Sequence, residues 1–292
     1  MGETVYLNGR FMAPEEAHVP VLDRGFIFGD AVYEVIPVYS RVLLRLDEHL
    51  ARLQYSLDSI RLRNPHSVDE WRSLLQEIVM RNPWDDQGVY LQVTRGVARR
   101  DQAFPDPAVV KPTVFAMAND MRPPSAEQRR DGVPVITRED YRWLRCDIKA
   151  TSLIANCLLR QEAVDVGCAE VILLRNGKVT EGSASNVFLV KDGIITTPPK
   201  DNLILPGITY DLVLELARRH DLPFEVRELT VGELYAADEA WLSSSLREVL
   251  PIASVDGIAI GNGKPGPVYE RMYALYQAYK REVIDHAGTA RT

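Results

Sequence analysis

Four two-residue turns constrain the fold of this chain more than any other feature of its sequence. Each turn pairs Asn or Asp with Gly and lies between short β-prone runs, a pattern typical of β-hairpins. The four turns are Asn8-Gly9, Asn176-Gly177, Asp192-Gly193 and Asp256-Gly257. Antiparallel sheet is therefore expected near the start of the chain and in its second half.

Amphipathic helices separate the predicted strands without a regular alternation. Ser67 and Glu70 form a capping-box pattern before a run of apolar residues at helical spacing, and Thr230 and Glu233 repeat that pattern. Asp47 is positioned to cap an earlier helix. Because strands and helices are mixed without strict βαβ units, the sequence predicts an α+β fold rather than a doubly wound sheet.

The length of 292 residues favours two domains. Residues 121–131 contain two prolines and no apolar period, which is typical of a linker. The prediction is therefore a small α/β N-terminal domain over 1–120, a linker over 121–131, and a larger β-rich C-terminal domain over 132–292.

Charge and composition argue against several functions. A net charge of −7 without a basic stripe argues against a nucleic-acid partner. The three cysteines form no CxxC pair and the five histidines lack ligand spacing, so we expect reduced thiols and no metal site. Neither a signal-peptide pattern nor a membrane-spanning stretch occurs, and we expect a cytoplasmic protein with no membrane partner.

Lys149 is the first candidate for chemistry. Leu144, Cys146 and Ile148 alternate with polar residues and predict a strand, with Lys149 on its mixed face at the strand end. Desolvation makes a lysine lose its proton more easily and become the nucleophilic amine that makes Schiff bases. Taken alone, the pattern favours a solvated surface lysine, and other segments must overturn that interpretation.

Four further segments carry candidate binding groups or glycines that suggest tight packing of the backbone. Gly207 and Thr209 lie at the start of a predicted helix. The first N–H groups of this helix either bind a phosphate or form an ordinary capped end. Residues 243–245 end a strand and offer hydroxyl groups. Glu181 is either a turn residue between two strands or the partner of a cationic ring nitrogen. Residues 23–30 form a polar, glycine-punctuated loop without the spacing of a dinucleotide fingerprint.

The order of these segments resembles the fold-type IV pyridoxal-phosphate aminotransferases, and within them the D-amino acid (D-alanine) aminotransferase branch. The resemblance runs over 6–280. The blocks that carry it are 23–29 with 32–35, 92–96, 142–149, 180–188, 207–209, and Glu248 with Pro251. Branched-chain aminotransferases and aminodeoxychorismate lyase share Lys149, Glu181 and the 207–209 block. The 92–96 and 142–147 blocks favour the D-amino acid branch.

The resemblance implies a two-domain enzyme whose C-terminal domain binds pyridoxal 5'-phosphate. It implies that Lys149 carries the cofactor as a Schiff base and moves the proton, and that Glu181 pairs with the pyridine nitrogen. The other cofactor-binding residues that it implies are Arg52, Ile208, Thr209 and Ser245 at the phosphate, with Ser244 and Arg142 nearby.

For the substrate carboxylate, the resemblance implies Tyr33 and Arg100, with Arg100 serving the neighbouring subunit of a homodimer. Two residues depart from the family pattern. Gln102 replaces a histidine and can donate a hydrogen bond but not a positive charge. Arg247 replaces a small neutral residue and can add a second carboxylate contact.

The expected reaction is ping-pong transamination between a D-amino acid, of the D-alanine or D-glutamate type, and a 2-oxo acid. The alternatives are a branched-chain L-amino acid aminotransferase and then aminodeoxychorismate lyase. A catalytically silent binding or scaffold protein on the same fold is a further alternative. The presence of both Lys149 and Glu181 argues against that last interpretation.

Overall fold

The computed structural model describes residues 3–289, and the chain divides into two compact units. The first unit consists of Met1–Arg122, Ile148–Leu153 and Val283–Thr292, and the second of Pro123–Asp147 and Ile154–Glu282. The units are interleaved along the chain, whereas the domains predicted over 1–120 and 132–292 are each continuous. The outermost residues of those predicted domains, 1–2 and 290–292, lie outside the described residues.

The first unit contains a six-stranded sheet with two long helices packed on it. Its strands are β1 (Val5–Leu7), β2 (Arg10–Met12), β3 (Ala31–Tyr39), β4 (Val42–Leu43), β5 (Gln87–Thr94) and β6 (Thr113–Asp120). Its helices are α1 (Arg24–Phe28), α2 (Leu46–Ser59) and α3 (Val68–Arg81). The strand order is β2-β1-β6-β5-β3-β4, and every neighbouring pair is antiparallel.

The core of the first unit lies between α2, α3 and the sheet. Leu53 and Leu57 lie about one turn apart on α2 and are fully buried, as is Ile36 of β3. The capping box predicted at Ser67 and Glu70 is confirmed at the start of α3. The predicted cap at Asp47 is wrong, because α2 begins one residue earlier, at Leu46, and Asp47 instead binds an arginine of α3.

The second unit contains a ten-stranded mixed sheet. Its strands are β7 (Val133–Glu139), β8 (Glu170–Arg175), β9 (Lys178–Gly182), β10 (Asn186–Lys191), β11 (Ile194–Thr197), β12 (Phe224–Val226), β13 (Leu229–Thr230), β14 (Glu239–Ser244), β15 (Glu248–Val255) and β16 (Ile258–Ala259). The strand order is β12-β11-β10-β14-β15-β7-β8-β9-β13, and β16 also pairs with β15. Only the β11–β12, β15–β7 and β7–β8 pairs are parallel among the described strands. The predicted α+β class is therefore confirmed.

Five further helices lie between residues 126 and 289. They are α4 (Ala126–Asp131), α5 (Ile154–Asp165), α6 (Ile208–Arg219), α7 (Val231–Tyr235) and α8 (Pro267–Thr289). Buried Val213 and Tyr210 of α6 pack with Phe188 and Trp241 of the sheet. The segment predicted as a linker thus contains α4. No helix among residues 3–289 combines the length and apolar character needed to cross a membrane.

All four predicted hairpins form. The Asn or Asp in each turn has a positive φ, between 47° and 53°, and the following glycine lies between 75° and 92°. Two successive positive φ angles match the right-handed twist of the paired strands, and few residues other than Asn, Asp and Gly adopt them. The capping box at Thr230 and Glu233 is also confirmed.

Two predictions for local structure near candidate residues are wrong. The strand expected before Lys149 does not form: residues 143–149 are irregular, and Leu144 is 62% exposed although it was expected on a buried face. The Cys146 N–H donates to the carbonyl of Asn202, 56 residues later, so a loop replaces a strand partner. The loop expected over 23–30 contains α1, because the Asp23 side chain caps it.

Candidate functional site

Lys149 lies beside Tyr33 in the first unit. The Lys149 N–H donates to Ser56 Oγ at 3.3 Å, and the Lys149 carbonyl accepts from the Tyr33 N–H at 2.9 Å. Its Nζ is 4.1 Å from the centre of the Tyr33 ring, close enough for a protonated amine to be attracted to the ring face. The backbone is therefore held independently of the side chain, and the amine is next to a phenol.

Arg52 is held by a buried carboxylate in the same unit. Glu34 of β3 accepts from Arg52 Nε and Nη2, each at 2.8 Å, and contacts His49 Nδ1 at 2.8 Å. Burial by itself raises the pKa of Glu34, but the charge and hydrogen bonds of Arg52 outweigh it and hold the pKa well below its usual range. Burial lowers the pKa of His49, although the hydrogen bond and charge of Glu34 oppose the shift.

Glu181 lies near the end of β9, before the turn that leads into β10. Its Oε1 accepts from Arg142 Nη1 at 2.7 Å, and its Oε2 accepts from Asn186 Nδ2 at 3.2 Å and the Leu205 N–H at 3.0 Å. Burial raises the pKa of Glu181 from 4.5 to about 7, although Arg142 opposes the shift. A cation that binds this carboxyl group would be largely shielded from water.

Arg142 is itself oriented by a second acid, Asp140. Arg142 Nε and Nη2 donate to the two oxygens of Asp140 at 2.9 and 3.0 Å. Arg175 Nη2 lies 3.1 Å from the same carboxylate, and the Thr180 hydroxyl donates to it at 3.2 Å. Burial by itself raises the pKa of Asp140, but Arg142 and the charge of Arg175 outweigh it and lower the pKa. The Arg142 guanidinium is thus fixed between two carboxyl groups, those of Asp140 and Glu181.

The start of α6 lacks a side-chain cap. Gly207 is its N-cap and provides no side-chain cap for the N–H groups of Ile208 and Thr209. A Cβ at Gly207 would overlap the side-chain oxygen of Asn186, so only glycine fits there. Asn186 pairs in the sheet with Ser243, whose buried Oγ has no hydrogen-bond partner within the described residues. A helix N-terminus of this kind favours phosphate.

The end of β14 carries the other predicted phosphate residues. Ser244 is its last residue, Ser245 begins the turn, and both are half-buried. Arg247, in the same turn, does not project freely. Its Nη1 lies 3.5 Å from Glu170 Oε2 and donates to the Ala169 carbonyl at 3.2 Å. Arg247 therefore already has a carboxylate partner.

Glu170 connects Arg247 to the turn that follows Glu181. The Glu170 carboxylate is fully buried and accepts from the hydroxyls of Ser183 and Ser185. Glu170 is the first residue of β8, so its backbone is fixed by the sheet. This acid ties the turn after Glu181 to the turn after β14, and Arg247 supplies a positive charge beside it.

Arg100 and Gln102 lie in an exposed loop between β5 and β6. The Arg100 guanidinium carbon lies 5.4 Å from the centre of the Phe28 ring. The Gln102 carbonyl accepts a hydrogen bond from Arg24 Nη2 at 3.4 Å, so the loop is anchored through its backbone. In this chain by itself, both side chains face solvent.

The structure brings Lys149 and Tyr33 together in the first unit, and Glu181 and Arg142 together in the second. The sequence interpretation missed the acids that hold the arginines. These acids are Glu34 at Arg52, Asp140 at Arg142, and Glu170 at Arg247. A signal was available, because Glu34 interrupts a β-prone run and Glu170 begins another, and a buried acid needs a partner.

These residues fit the cofactor that the sequence resemblance implies. Pyridoxal phosphate presents an aldehyde, a basic ring nitrogen and a dianionic phosphate. The Lys149 amine matches the aldehyde, and the buried Glu181 carboxyl group matches the ring nitrogen. The start of α6, which lacks a side-chain cap, and the unpartnered Ser243 Oγ match the phosphate. In the described part of the chain, no three His, Cys, Asp or Glu side chains come together as metal ligands would.

Comparison with known proteins gives a family match across most of the chain. The family model for class IV amino-transferases matches residues 31–255. The D-alanine aminotransferase of Bacillus licheniformis is 43% identical over 94% of this chain and 95% of its own length. The D-alanine aminotransferase of Listeria monocytogenes serotype 4b (strain F2365) is 38% identical over 97% of each chain.

Solved structures of the same fold give a consistent result. The branched-chain amino acid aminotransferase from Escherichia coli superposes with a TM-score of 0.83 at 28% identity, over 94% of this chain and 92% of its own. The branched-chain aminotransferase of the thermophilic archaeon Thermoproteus uzoniensis, solved with norvaline, superposes with a TM-score of 0.84 at 28% identity. That match covers 98% of this chain and 96% of the other.

Proposed function

The chain belongs to the class IV aminotransferases, and on that premise we propose that it transfers the amino group of a D-amino acid to a 2-oxo acid. Membership confirms the predicted fold-type IV resemblance and makes the chain a pyridoxal-phosphate-dependent enzyme. The substrate class rests on one observation: 43% identity to a D-alanine aminotransferase over 94% of the chain. D-alanine and D-glutamate are the amino donors that we expect.

Lys149 is assigned the covalent and proton-transfer roles. Its Nζ would hold the cofactor and, once released, would take the proton from the substrate Cα. The bound cofactor supplies a ring that accepts the negative charge left behind. The contact between Nζ and the Tyr33 ring supports this assignment, because the amine is already turned towards a candidate substrate residue.

Glu181 is assigned the ring nitrogen, where it would keep a proton in place. Its two oxygens are oriented by Arg142, Asn186 and Leu205. The raised pKa of Glu181 supports the assignment, since a cationic ring nitrogen would relieve the cost of burying the ionised carboxylate. Arg142 would hold the carboxylate in the orientation required.

We assign the phosphate to the backbone at Ile208 and Thr209, with Ser245 and the neighbouring Ser244. The unpartnered Ser243 Oγ and the absence of a side-chain cap at the start of α6 support a bound anion there. The family resemblance adds Arg52, whose guanidinium Glu34 holds at 2.8 Å. A fixed guanidinium loses less conformational entropy when it binds than a free one does.

For the substrate carboxylate we assign Tyr33, Arg100 and, as a neutral donor, Gln102. An arginine binds a carboxylate with two parallel hydrogen bonds and sets its orientation. Arg247 is less suited to the main role, because its Nη1 is engaged by the Ala169 carbonyl and lies near Glu170.

A branched-chain L-amino acid aminotransferase is the second candidate, favoured by the structural superpositions. Those superpositions have 28% identity, below the 43% identity to a D-alanine aminotransferase. Because related aminotransferases share a fold and differ in their substrate contacts, the higher sequence identity weighs more for substrate class.

Turnover of paired enantiomers tests this proposal. We expect D-alanine to be used with 2-oxoglutarate, and D-glutamate with pyruvate, with kcat/KM at least roughly 100-fold above that of the L-enantiomers. The measurement is initial rate of 2-oxo acid formation over a panel that includes L-leucine. Turnover of L-leucine without D-alanine would identify a branched-chain enzyme instead. Cleavage of aminodeoxychorismate without transamination would identify the lyase.

We propose that the enzyme is a homodimer in which Arg100 serves the site of the second copy. Two observations support a covered surface around the loop that carries it. Arg100 is exposed, and Phe26, Phe104 and Val97 nearby in sequence or contact are 76%, 49% and 42% exposed. Where such exposed apolar groups form a contiguous patch, they mark an interaction surface. A cytoplasmic location is proposed as well, since the three cysteines are free.

Mixing two impaired variants tests the shared site. Lys149→Ala should be inactive and Arg100→Ala should have a strongly raised KM, so each has little activity at low D-alanine concentration. After subunit exchange, their mixture should recover about a quarter of the wild-type activity under the same conditions. That value arises because half the dimers are mixed and each has one intact site. The oligomer mass is measured in parallel. A dimer that recovers nothing would place Arg100 in the site of its own chain.

A further inference from the structure

The segment 23–30 is a sequence block to which the proposed function assigns no task. It forms a rigid short helix rather than a loop. Asp23 Oδ1 accepts from the Gly25 N–H at 2.8 Å, and its Oδ2 accepts from the Thr113 hydroxyl at 2.6 Å. Gly29 ends α1 with a φ of 65°, a conformation that glycine adopts without strain. Both ends of the segment are thus anchored in the first unit.

Arg24, the first residue of α1, binds the loop that carries Arg100. Its buried guanidinium donates to three successive carbonyl groups. Nη1 contacts the carbonyls of Asp101 at 2.5 Å and Ala103 at 3.4 Å, and Nη2 contacts that of Gln102 at 3.4 Å. Because all three acceptors are backbone atoms, Arg24 holds the course of the chain directly after Arg100.

The buried charge of Arg24 is compensated within the same cluster. Its Nε donates to Asp30 Oδ2 at 2.7 Å, and Arg95 donates to the same carboxylate from Nε at 2.8 Å and Nη2 at 3.0 Å. Arg95 also donates to the carbonyls of Ile60 and Arg61 at 2.7 and 3.1 Å. Arg24 therefore has a fixed position relative to the end of β5.

Two aromatic rings hold the loop at its ends. Phe28, the last residue of α1, has the Arg24 guanidinium carbon 4.7 Å from its ring centre and that of Arg100 at 5.4 Å. Phe104 covers Arg95, whose guanidinium carbon lies 3.7 Å from the ring centre. Cation–π contacts at such distances add modest stabilisation and restrict the side-chain rotamers.

We propose that Arg24 is a positioning residue for substrate selection. It fixes the 100–104 loop so that Arg100 meets the substrate carboxylate in one orientation, with Asp30 and Arg95 holding Arg24 in turn. The inference rests on the proposed function, in which Arg100 binds that carboxylate. A misplacement of about 1 Å at a substrate-binding group can cost on the order of 100-fold in rate.

Kinetics of Arg24→Met with D-alanine test this inference. We expect KM to rise roughly tenfold or more while kcat changes by less than about threefold, since only the carboxylate contact is disturbed. Arg24→Lys keeps the charge beside Asp30 but cannot reach three carbonyls, and should shift KM in the same direction. Arg63→Met, an exposed arginine replaced in the same unit, is the control and should leave KM unchanged.

A double-mutant cycle separates positioning from general stability. In an Arg100→Ala background, Arg24→Met should raise KM no further, because the group that it positions is gone. Hydrogen exchange of cofactor-free Arg24→Met should be faster over residues 101–104 and unchanged in α3. Equal KM effects in both backgrounds, or unchanged exchange in the loop, would overturn the inference.

The same data distinguish failure of this inference from failure of the proposed function. A flat response to Arg100→Ala would overturn the carboxylate assignment itself, and the positioning role with it. A large response to Arg100→Ala together with a flat response to both Arg24 variants would overturn only the positioning role. Thermal unfolding of each variant is measured, and if Arg24→Met does not fold, Arg24→Lys and Asp30→Asn provide the same comparison.

Discussion

Lys149→Ala is expected to abolish turnover of D-alanine while leaving a folded protein. In the proposed function, the Nζ atom provides both the covalent link to the cofactor and the proton transfer at substrate Cα, and general acid–base catalysis alone contributes roughly 10²–10⁴-fold. The fold should survive because the backbone of Lys149, not its side chain, makes the hydrogen bonds to Ser56 and Tyr33. Steady-state rates and thermal unfolding of the two proteins check this result.

A matched variant separates chemistry from charge at this position. Lys149→Arg keeps a cation over the Tyr33 ring but cannot form the covalent link, so it should be as inactive as Lys149→Ala. Borohydride reduction of the wild-type enzyme with bound cofactor should then label the peptide that contains Lys149. Activity in the arginine variant, or a label on another lysine, would refute the assignment.

Glu181→Gln is expected to slow the proton-transfer half-reaction roughly 100-fold, with a smaller loss of cofactor affinity. Glutamine keeps an oxygen for Arg142 but cannot hold a positive charge at the ring nitrogen. Single-turnover rates with D-alanine, measured beside cofactor dissociation, give the two effects separately. Unchanged single-turnover rates would mean that Glu181 is only a turn residue.

The same variant has a pH signature in the cofactor-free protein. The folded protein keeps the Glu181 proton up to a pH of about 7, whereas the unfolded chain loses it near 4.5. The contribution of this group to the free energy of unfolding is therefore fully present below pH 4.5 and falls as the pH rises through this window. The fall amounts to about 3 kcal/mol, since one pKa unit corresponds to about 1.4 kcal/mol.

Because glutamine does not titrate, the variant lacks this pH-dependent loss. The unfolding free energy of Glu181→Gln minus that of the wild type should increase by about 3 kcal/mol between about pH 4.5 and about pH 8. Denaturant unfolding at several pH values measures it. Glu48→Gln, an exposed acid in α2, is the control and should show only a small change. A constant difference across the range would contradict the raised pKa.

Features that depend on a few neighbouring residues could be predicted from the sequence. The Asn-Gly and Asp-Gly hairpins and the capping boxes at Ser67 and Thr230 form as expected, since each is decided within four residues. The α+β class followed from the irregular order of these elements. The order of blocks around Lys149 and Glu181 identified the family, which the comparisons confirm.

Predictions from the local sequence pattern were wrong where contacts between distant residues determined the backbone conformation. The alternation before Lys149 predicts a strand, yet its residues find partners such as Asn202 far along the chain and form a loop. The two glycines of 23–30 predict a loop, but the Asp23 side chain caps a helix and Thr113, 90 residues away, fixes that side chain. Apolar alternation reports which residues prefer burial, and it does not report which partners bury them.

The candidate site residues could be selected from the sequence. The charged groups that surround them were revealed only by the tertiary structure. Arg52, Arg142 and Arg247 each meet an acid, at 18, 2 and 77 residues away respectively. These pairs follow from burial, because a guanidinium removed from water needs a carboxylate or carbonyl partner and the folded chain determines which one is in reach. Arg24 follows the same rule, and its three carbonyl partners are 77–79 residues away in sequence.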